Sequence, residues 1–215
     1  SFKQDFDVAF LPEGGNLLVG MPQRVAFKAG GTDGLAIDVV GEILNSKGEV
    51  VADVKSTHLG MGMFILTPAV GESYTAKMTL PSDTTFVKNF ELPHPLTSGC
   101  TLAVDVTAGG MAMCRVLATA DIDPSALGMI VHSKGEVCHI GDRATSMRLS
   151  ASSFNNGMAT VSLVDKATMQ TVCDRTFFVW NGAESAAEIT SNSESYLPLS
   201  PVNLTVKFTD KAGEP

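Results

Sequence analysis

Apolar and polar residues alternate along most of the chain. Arg24-Val25-Ala26-Phe27-Lys28, Tyr74-Thr75-Ala76-Lys77-Met78-Thr79-Leu80, Leu102-Ala103-Val104-Asp105-Val106 and Leu204-Thr205-Val206-Lys207-Phe208 all follow the pattern. A period of two marks a strand with one face in a core and the other in water. Windows with apolar residues at i, i+3, i+4 and i+7 are scarce. The best helical candidate is a single turn at Asp123-Pro124-Ser125-Ala126-Leu127, capped by Asp123 with Pro124 in its first position. Gly, Pro, Asn, Asp and Ser punctuate the segments at regular spacing, which predicts antiparallel β-sandwiches.

The first group of strands is predicted near residues 5–10, 22–28, 36–44, 50–57, 62–67, 73–80 and 84–91. Seven strands suit one sandwich of the immunoglobulin or fibronectin III type. Leu92-Pro93-His94-Pro95-Leu96-Thr97-Ser98-Gly99 then interrupts the pattern, because two prolines exclude a central strand. A second group is predicted near 101–107, 111–119, 128–133, 136–140, 145–150, 157–164 and 171–179. After Asn181-Gly182 the composition turns polar, and one more clear strand follows at 202–209. The predicted organisation is a sandwich over 1–92, a second over 93–181 and the start of a third over 182–215.

A recurring turn supports a tandem repeat. Asn45-Ser46-Lys47-Gly48-Glu49-Val50 matches His132-Ser133-Lys134-Gly135-Glu136-Val137 closely, and Asp210-Lys211-Ala212-Gly213-Glu214 has the same form. A short polar residue followed three positions later by Gly suits a type I turn with a left-handed fourth residue, closing a bulged hairpin. The glycines lie 87 and 78 residues apart, the size of a small sandwich. The alternation places Val25, Phe27, Phe64, Leu66, Tyr74 and Ala76 in the first core. It places Val104, Val106, Val161, Leu163, Phe177 and Val179 in the second.

Composition narrows the function classes. Of 215 residues, 44% are hydrophobic and 18% charged, enough apolar material for real cores. The net charge of −8 gives a field of the wrong sign for nucleic acid or anionic lipid. No apolar run approaches the roughly 20 residues of a membrane-spanning helix, so direct membrane insertion of this segment is not expected. The chain starts at Ser1 without Met and stops after a strand-like segment, which suggests an excerpt from a longer protein.

Candidate chemistry is thin. Cys100, Cys114, Cys138 and Cys173 all fall in the second group, without a C-x-x-C pair to suggest zinc or thioredoxin-like chemistry. They suit buried free thiols, or one disulfide in an oxidising compartment. His132 and His139 flank one predicted hairpin, where register decides whether they share a face. His58 precedes Leu59-Gly60-Met61-Gly62 and reads as a turn residue. There is no G-x-S-x-G, H-E-x-x-H or phosphate-loop motif. Glu13-Gly14-Gly15 and Ala108-Gly109-Gly110 open no helix, so neither cradles phosphate. Asp121 and Asp123 are too few for a calcium shell. Trp180 suits a core or inter-domain anchor. Met61 and Met63, on the glycine-rich bend, are candidates for an adaptable contact surface. No catalytic, cofactor-binding or metal-binding residue is assigned.

The order of motifs resembles a known family. Phe10-Leu11-Pro12-Glu13-Gly14-Gly15-Asn16-Leu17 leads to Gln23-Arg24-Val25-Ala26-Phe27-Lys28-Ala29, Val40-Gly41-Glu42-Ile43 and Ser46-Lys47-Gly48-Glu49. His58-Leu59-Gly60-Met61-Gly62-Met63-Phe64, Thr67-Pro68 and Gly71-Glu72-Ser73-Tyr74-Thr75-Ala76 follow. This series resembles the macroglobulin-like β-sandwich domains of long secreted Bacteroidales proteins, often found near carboxypeptidase-regulatory-like or TonB-dependent-receptor modules. Asp174-Arg175-Thr176-Phe177-Phe178-Val179 is similar to the closing strand of the next such domain. Tyr196-Leu197-Pro198 through Asp210-Lys211-Ala212-Gly213 resembles the opening of another. The resemblance implies an all-β tandem of seven-stranded macroglobulin-like sandwiches in the periplasm or on the surface of a Gram-negative cell. The Cys-Gly-Glu-Gln thioester and a bait-like insertion are missing, so protease trapping is not implied. The expected role is a non-catalytic structural or interaction module, a spacer contacting protein partners or neighbouring domains. The alternative is a glycan- or peptide-binding module in outer-membrane nutrient uptake. An enzyme would need residues that meet only in three dimensions.

Overall fold

The alternating segments become strands in the computed structural model, which describes residues 5–107, 110–180, 186–209 and 213. The first seven are β1 (Phe6–Pro12), β2 (Gln23–Gly31), β3 (Val40–Leu44), β4 (Val50–Lys55), β5 (Met61–Leu66), β6 (Thr75–Leu80) and β7 (Asp83–Glu91). They build an antiparallel sheet in the order β1-β2-β5 and another in the order β4-β3-β6-β7. Both sheets contribute to one core, with Phe6, Val25 and Phe27 from the first and Ile43, Ala76 and Met78 from the second. All six first-core positions expected from the alternation are buried.

The next seven strands repeat the arrangement. They are β8 (Cys100–Val106), β9 (Met111–Ala118), β10 (Leu127–Ser133), β11 (Glu136–Gly141), β12 (Met147–Ser150), β13 (Gly157–Asp165) and β14 (Thr171–Val179). Sheets ordered β12-β9-β8 and β11-β10-β13-β14 enclose a separate core that includes Leu102, Met129, Val131, Val161, Leu163 and Phe177. The chain is therefore all-β and built of antiparallel sheets. Its described helical content is two single 3-10 turns. One of them, Pro124–Ala126, is capped by Asp123, whose carboxylate accepts from the Ser125 amide as anticipated.

Val106 departs from the expected core: it is 43% exposed. It pairs with Ala112 at the last step of the β8–β9 ladder, where the strand runs out beyond its buried stretch. The other face of β8 also differs from expectation. Thr101 and Ala103, on the face assigned to water, are buried, yet neither belongs to the second core. Trp180 is half exposed and is not a core anchor, because the alternation that buries Val179 turns the next residue outward.

The two related turns close hairpins in different ways. The Gly48 amide donates to the Asn45 carbonyl at 2.9 Å, and Gly48 has φ +78°, as the bulged type I turn requires. In the second hairpin, pairing continues to Ser133 and Glu136, so only Lys134 and Gly135 remain in the connection. Both have positive φ, +49° and +82°, the signature of a type I′ turn. Of the third copy only Gly213 lies within the described residues; Asn181-Gly182 and Ala108-Gly109 also lie outside them.

Two further strands, β15 (Ala186–Ser191) and β16 (Leu204–Thr209), form an antiparallel ribbon. The polar composition before Tyr196 conceals β15, in which Ile189 is the one large apolar side chain. In the ribbon register, Ile189 opposite Val206 and Ala187 opposite Phe208 share a face.

Candidate functional site

The most elaborate side-chain constellation lies where the loop after β1 meets β8 and β14. Glu13 stands just beyond the end of β1, and its amide donates to the Arg24 carbonyl on β2 at 2.9 Å. The next residue is Gly14, with φ +76°. A Cβ at Gly14 would lie 2.2 Å from Thr101 Oγ1 and 2.5 Å from the Leu102 carbonyl oxygen. The turn approaches the β8 backbone more closely than any side chain permits, which only glycine accommodates. Thr101 Oγ1 completes the contact by donating to the Glu13 carbonyl at 2.9 Å. This explains why Thr101 is buried outside the second core.

The Glu13 side chain, only 8% exposed, gathers donors from both sandwiches. Arg24 Nε donates to Oε2 at 2.7 Å, and Arg24 Nη2 donates to Oε1 at 3.1 Å. Arg175 Nε on β14 and the Val104 amide on β8 donate to the same Oε1 at 3.1 and 3.2 Å. Arg24 also donates through Nη1 to Asp105 Oδ1 at 2.6 Å, and Arg115 Nη2 donates to Asp105 Oδ2 at 3.0 Å. Two carboxylates thus join three guanidiniums across the junction. Burial pulls the Arg24 pKa down, but hydrogen bonds to Glu13 and Asp105 outweigh it and leave the group raised. The hydrogen bond from Arg24 is the chief reason the Asp105 carboxyl titrates below its usual range.

The connection between the sandwiches is also tied down. Leu18 and Leu96 form a parallel bridge, with the Val19 amide donating to the Leu96 carbonyl and the Leu96 amide to the Leu17 carbonyl. The Gln23 amide braces this loop, donating to the Asn16 carbonyl at 2.6 Å and accepting from the Leu18 amide. Leu18 is fully buried without belonging to either core.

Two cavities flank the ion network. One of about 280 Å³ is lined by Pro22, Gln23, Arg24, Ile65, Ala103 and Arg115, among others. The other, of about 480 Å³, lies beside Leu11, Ala26, Met63, Arg24, Asp174 and Arg175. Leu11, Ala26 and Met63 stand side by side in the β1-β2-β5 register, so their exposed side chains form an apolar shelf at the mouth. Met61 and Met63 on the predicted contact surface are 41% and 57% exposed.

The remaining candidates do not converge there. His132 lies opposite Val137, whereas His139 lies opposite Val131 across a bulge. Successive residues of β10 face opposite ways, so the two histidines occupy different faces. His58 is a turn residue, its carbonyl accepting from the Met61 amide. Asp121 accepts from the Ser98 hydroxyl in an exposed loop. Cys100, Cys114 and Cys173 are buried free thiols and Cys138 is half-buried. Among the described residues, no three His, Cys, Asp or Glu side chains group as a metal site would, and no helix is long and apolar enough to cross a membrane.

Charge alternation singles out neither Glu13 nor Arg175. Glu13-Gly14-Gly15 reads as an ordinary turn, and no sequence signal links it to a residue on β14. Comparison with protein-family models and with curated proteins gives no match for the chain.

Proposed function

We propose that this chain is a non-catalytic structural and interaction module, a tandem macroglobulin-like β-sandwich spacer of a larger protein of the Gram-negative cell envelope. Residues 1–92 and 93–181 act as its two consecutive units, and 182–215 opens a third. The observation that carries the reading is the junction. The buried Glu13 carboxylate takes hydrogen bonds from both sandwiches, and Gly14 seats the β1 loop on β8 without room for a side chain. Two sandwiches joined by a flexible tether need no such complementarity. A spacer that holds partners at a set distance and angle does. The exposed Met61, Met63 and Leu11 offer a contact face beside it.

Small-angle scattering on the protein and its Gly14→Ala variant tests the spacer role. A rigid spacer gives a profile that one arrangement of the sandwiches fits, and the variant requires a spread of arrangements. A wild-type profile that already requires such a spread rejects it.

The second reading is a peptide-binding module. It draws support from the roughly 480 Å³ cavity, where the Leu11–Ala26–Met63 shelf meets Arg24 and Arg175. An extended peptide with an apolar residue and a carboxylate matches that surface. Titration with such peptides, compared between the protein and Met63→Asp, separates the readings: saturable binding lost in the variant favours this one.

A further inference from the structure

We propose that Cys100 and Cys173 form an intramolecular disulfide that staples the two sheets of the second sandwich along the β8–β14 edge. β8 is the outer strand of the three-stranded sheet, and β14 is the outer strand of the four-stranded one. The two strands pack against each other, and both cysteines are buried in the core the sheets share. Both side chains belong to the same buried cluster, and each thiol shifts the titration of the other.

The other two cysteines are placed differently. Cys114 pairs with Val104 on the β8–β9 ladder, whereas Cys100 pairs with Ala118. Four residues of strand, roughly 13 Å, therefore separate Cys114 from Cys100, well outside the span of a disulfide. Cys138 sits on β11, at the opposite edge of the four-stranded sheet from β14.

The reaction requires an external disulfide as oxidant, either glutathione disulfide or a protein of the thiol-oxidase class. In the open chain the Cys100 thiolate attacks one sulfur of the oxidant, and the other sulfur leaves as a thiolate. Cys173 then loses its proton and attacks Cys100 Sγ, releasing the second thiolate. Two protein thiols are oxidised and one external disulfide is reduced to two thiols. Both sulfurs are sealed from solvent in the folded chain. Exchange therefore takes place before the β8–β14 edge closes.

The test is to refold the fully reduced 215-residue chain with reduced and oxidised glutathione, then denature and alkylate it. The expected mass shows two alkylated cysteines, and proteolysis yields one peptide pair joined through Cys100 and Cys173. The Cys114→Ser/Cys138→Ser double variant keeps the bridge. A closed loop of roughly 70 residues should raise the melting temperature of the oxidised protein by about 5 °C or more over the reduced form. Four alkylated cysteines, a lasting glutathione adduct, or a bridge through Cys114 or Cys138 would overturn the assignment. A bridge without any rise in melting temperature would overturn the stapling role.

Discussion

Arg175 Nε lies 3.1 Å from Glu13 Oε1, although 162 residues separate them along the chain. This pair connects the loop leaving the first strand of the first sandwich to the last strand of the second. Because Arg24 and the Val104 amide share the same carboxylate, the contact is one member of a network rather than an isolated surface pair.

Removing the shared carboxylate should weaken the junction more than removing any one donor. Glu13→Ala leaves Arg175 without its carboxylate partner and Arg24 with Asp105 alone. A loss of about 1–3 kcal/mol is expected, below the full cost of breaking a buried pair because both guanidiniums reach solvent. Urea denaturation followed by circular dichroism measures it. A midpoint unchanged from the native protein would show that the network contributes nothing.

Gly14→Ala should act without touching either core. The added methyl meets Thr101 Oγ1 and the Leu102 carbonyl, and alanine disfavours a φ of +76°. The junction opens, and protection against hydrogen exchange of the Val104 amide, which donates to Glu13 Oε1, falls toward that of an unpaired edge-strand amide. The amides of Val25 and Val161 keep theirs. Equal loss of protection throughout would place the damage in the cores.

The cores can be tested separately. Phe27→Ala and Phe177→Ala should each cost about 3–5 kcal/mol, since both rings are buried. Val106→Ala should change stability by less than about 0.5 kcal/mol, because Val106 lies outside the second core. The single tryptophan, Trp180, follows β14 directly, so its fluorescence reports on the second sandwich. An equal effect of Val106→Ala and Phe177→Ala would contradict the observed register.

The strands and most of the cores were legible because period-two alternation is a local signal. Val25 and Phe27 announce their face within five residues, and the Gly48 turn announces its hairpin. The junction was not legible. Thr101 and Ala103 alternate like solvent-facing residues, and only the first sandwich, placed against β8, buries them. Nor does local sequence distinguish the Gly48 turn from the Gly135 turn, since the difference lies in how far the flanking strands pair. Glu13 and Arg175 are ordinary loop and strand charges until the tertiary structure brings them together.

Acid should release the Asp105 contacts. The hydrogen bond from Arg24 lowers the Asp105 pKa in the folded state. The folded state therefore binds fewer protons than the unfolded chain in acid. The Asp105 contribution is complete above the unfolded value, about 3.9, and disappears as the pH falls through the lower folded value. Denaturation of the native protein and Asp105→Asn at pH 7 and again near pH 2.5 should show a stability gap that narrows in acid. A gap that widens in acid would reverse the sign.

Amide residual dipolar couplings test the rigid junction most directly. Couplings are collected from residues 6–91 and 100–179 of the native protein in a dilute aligning medium. The account predicts that one alignment tensor fits both sandwiches, and that Glu13→Ala or Gly14→Ala splits it into two tensors of different magnitude. Two different tensors in the native protein would contradict the account.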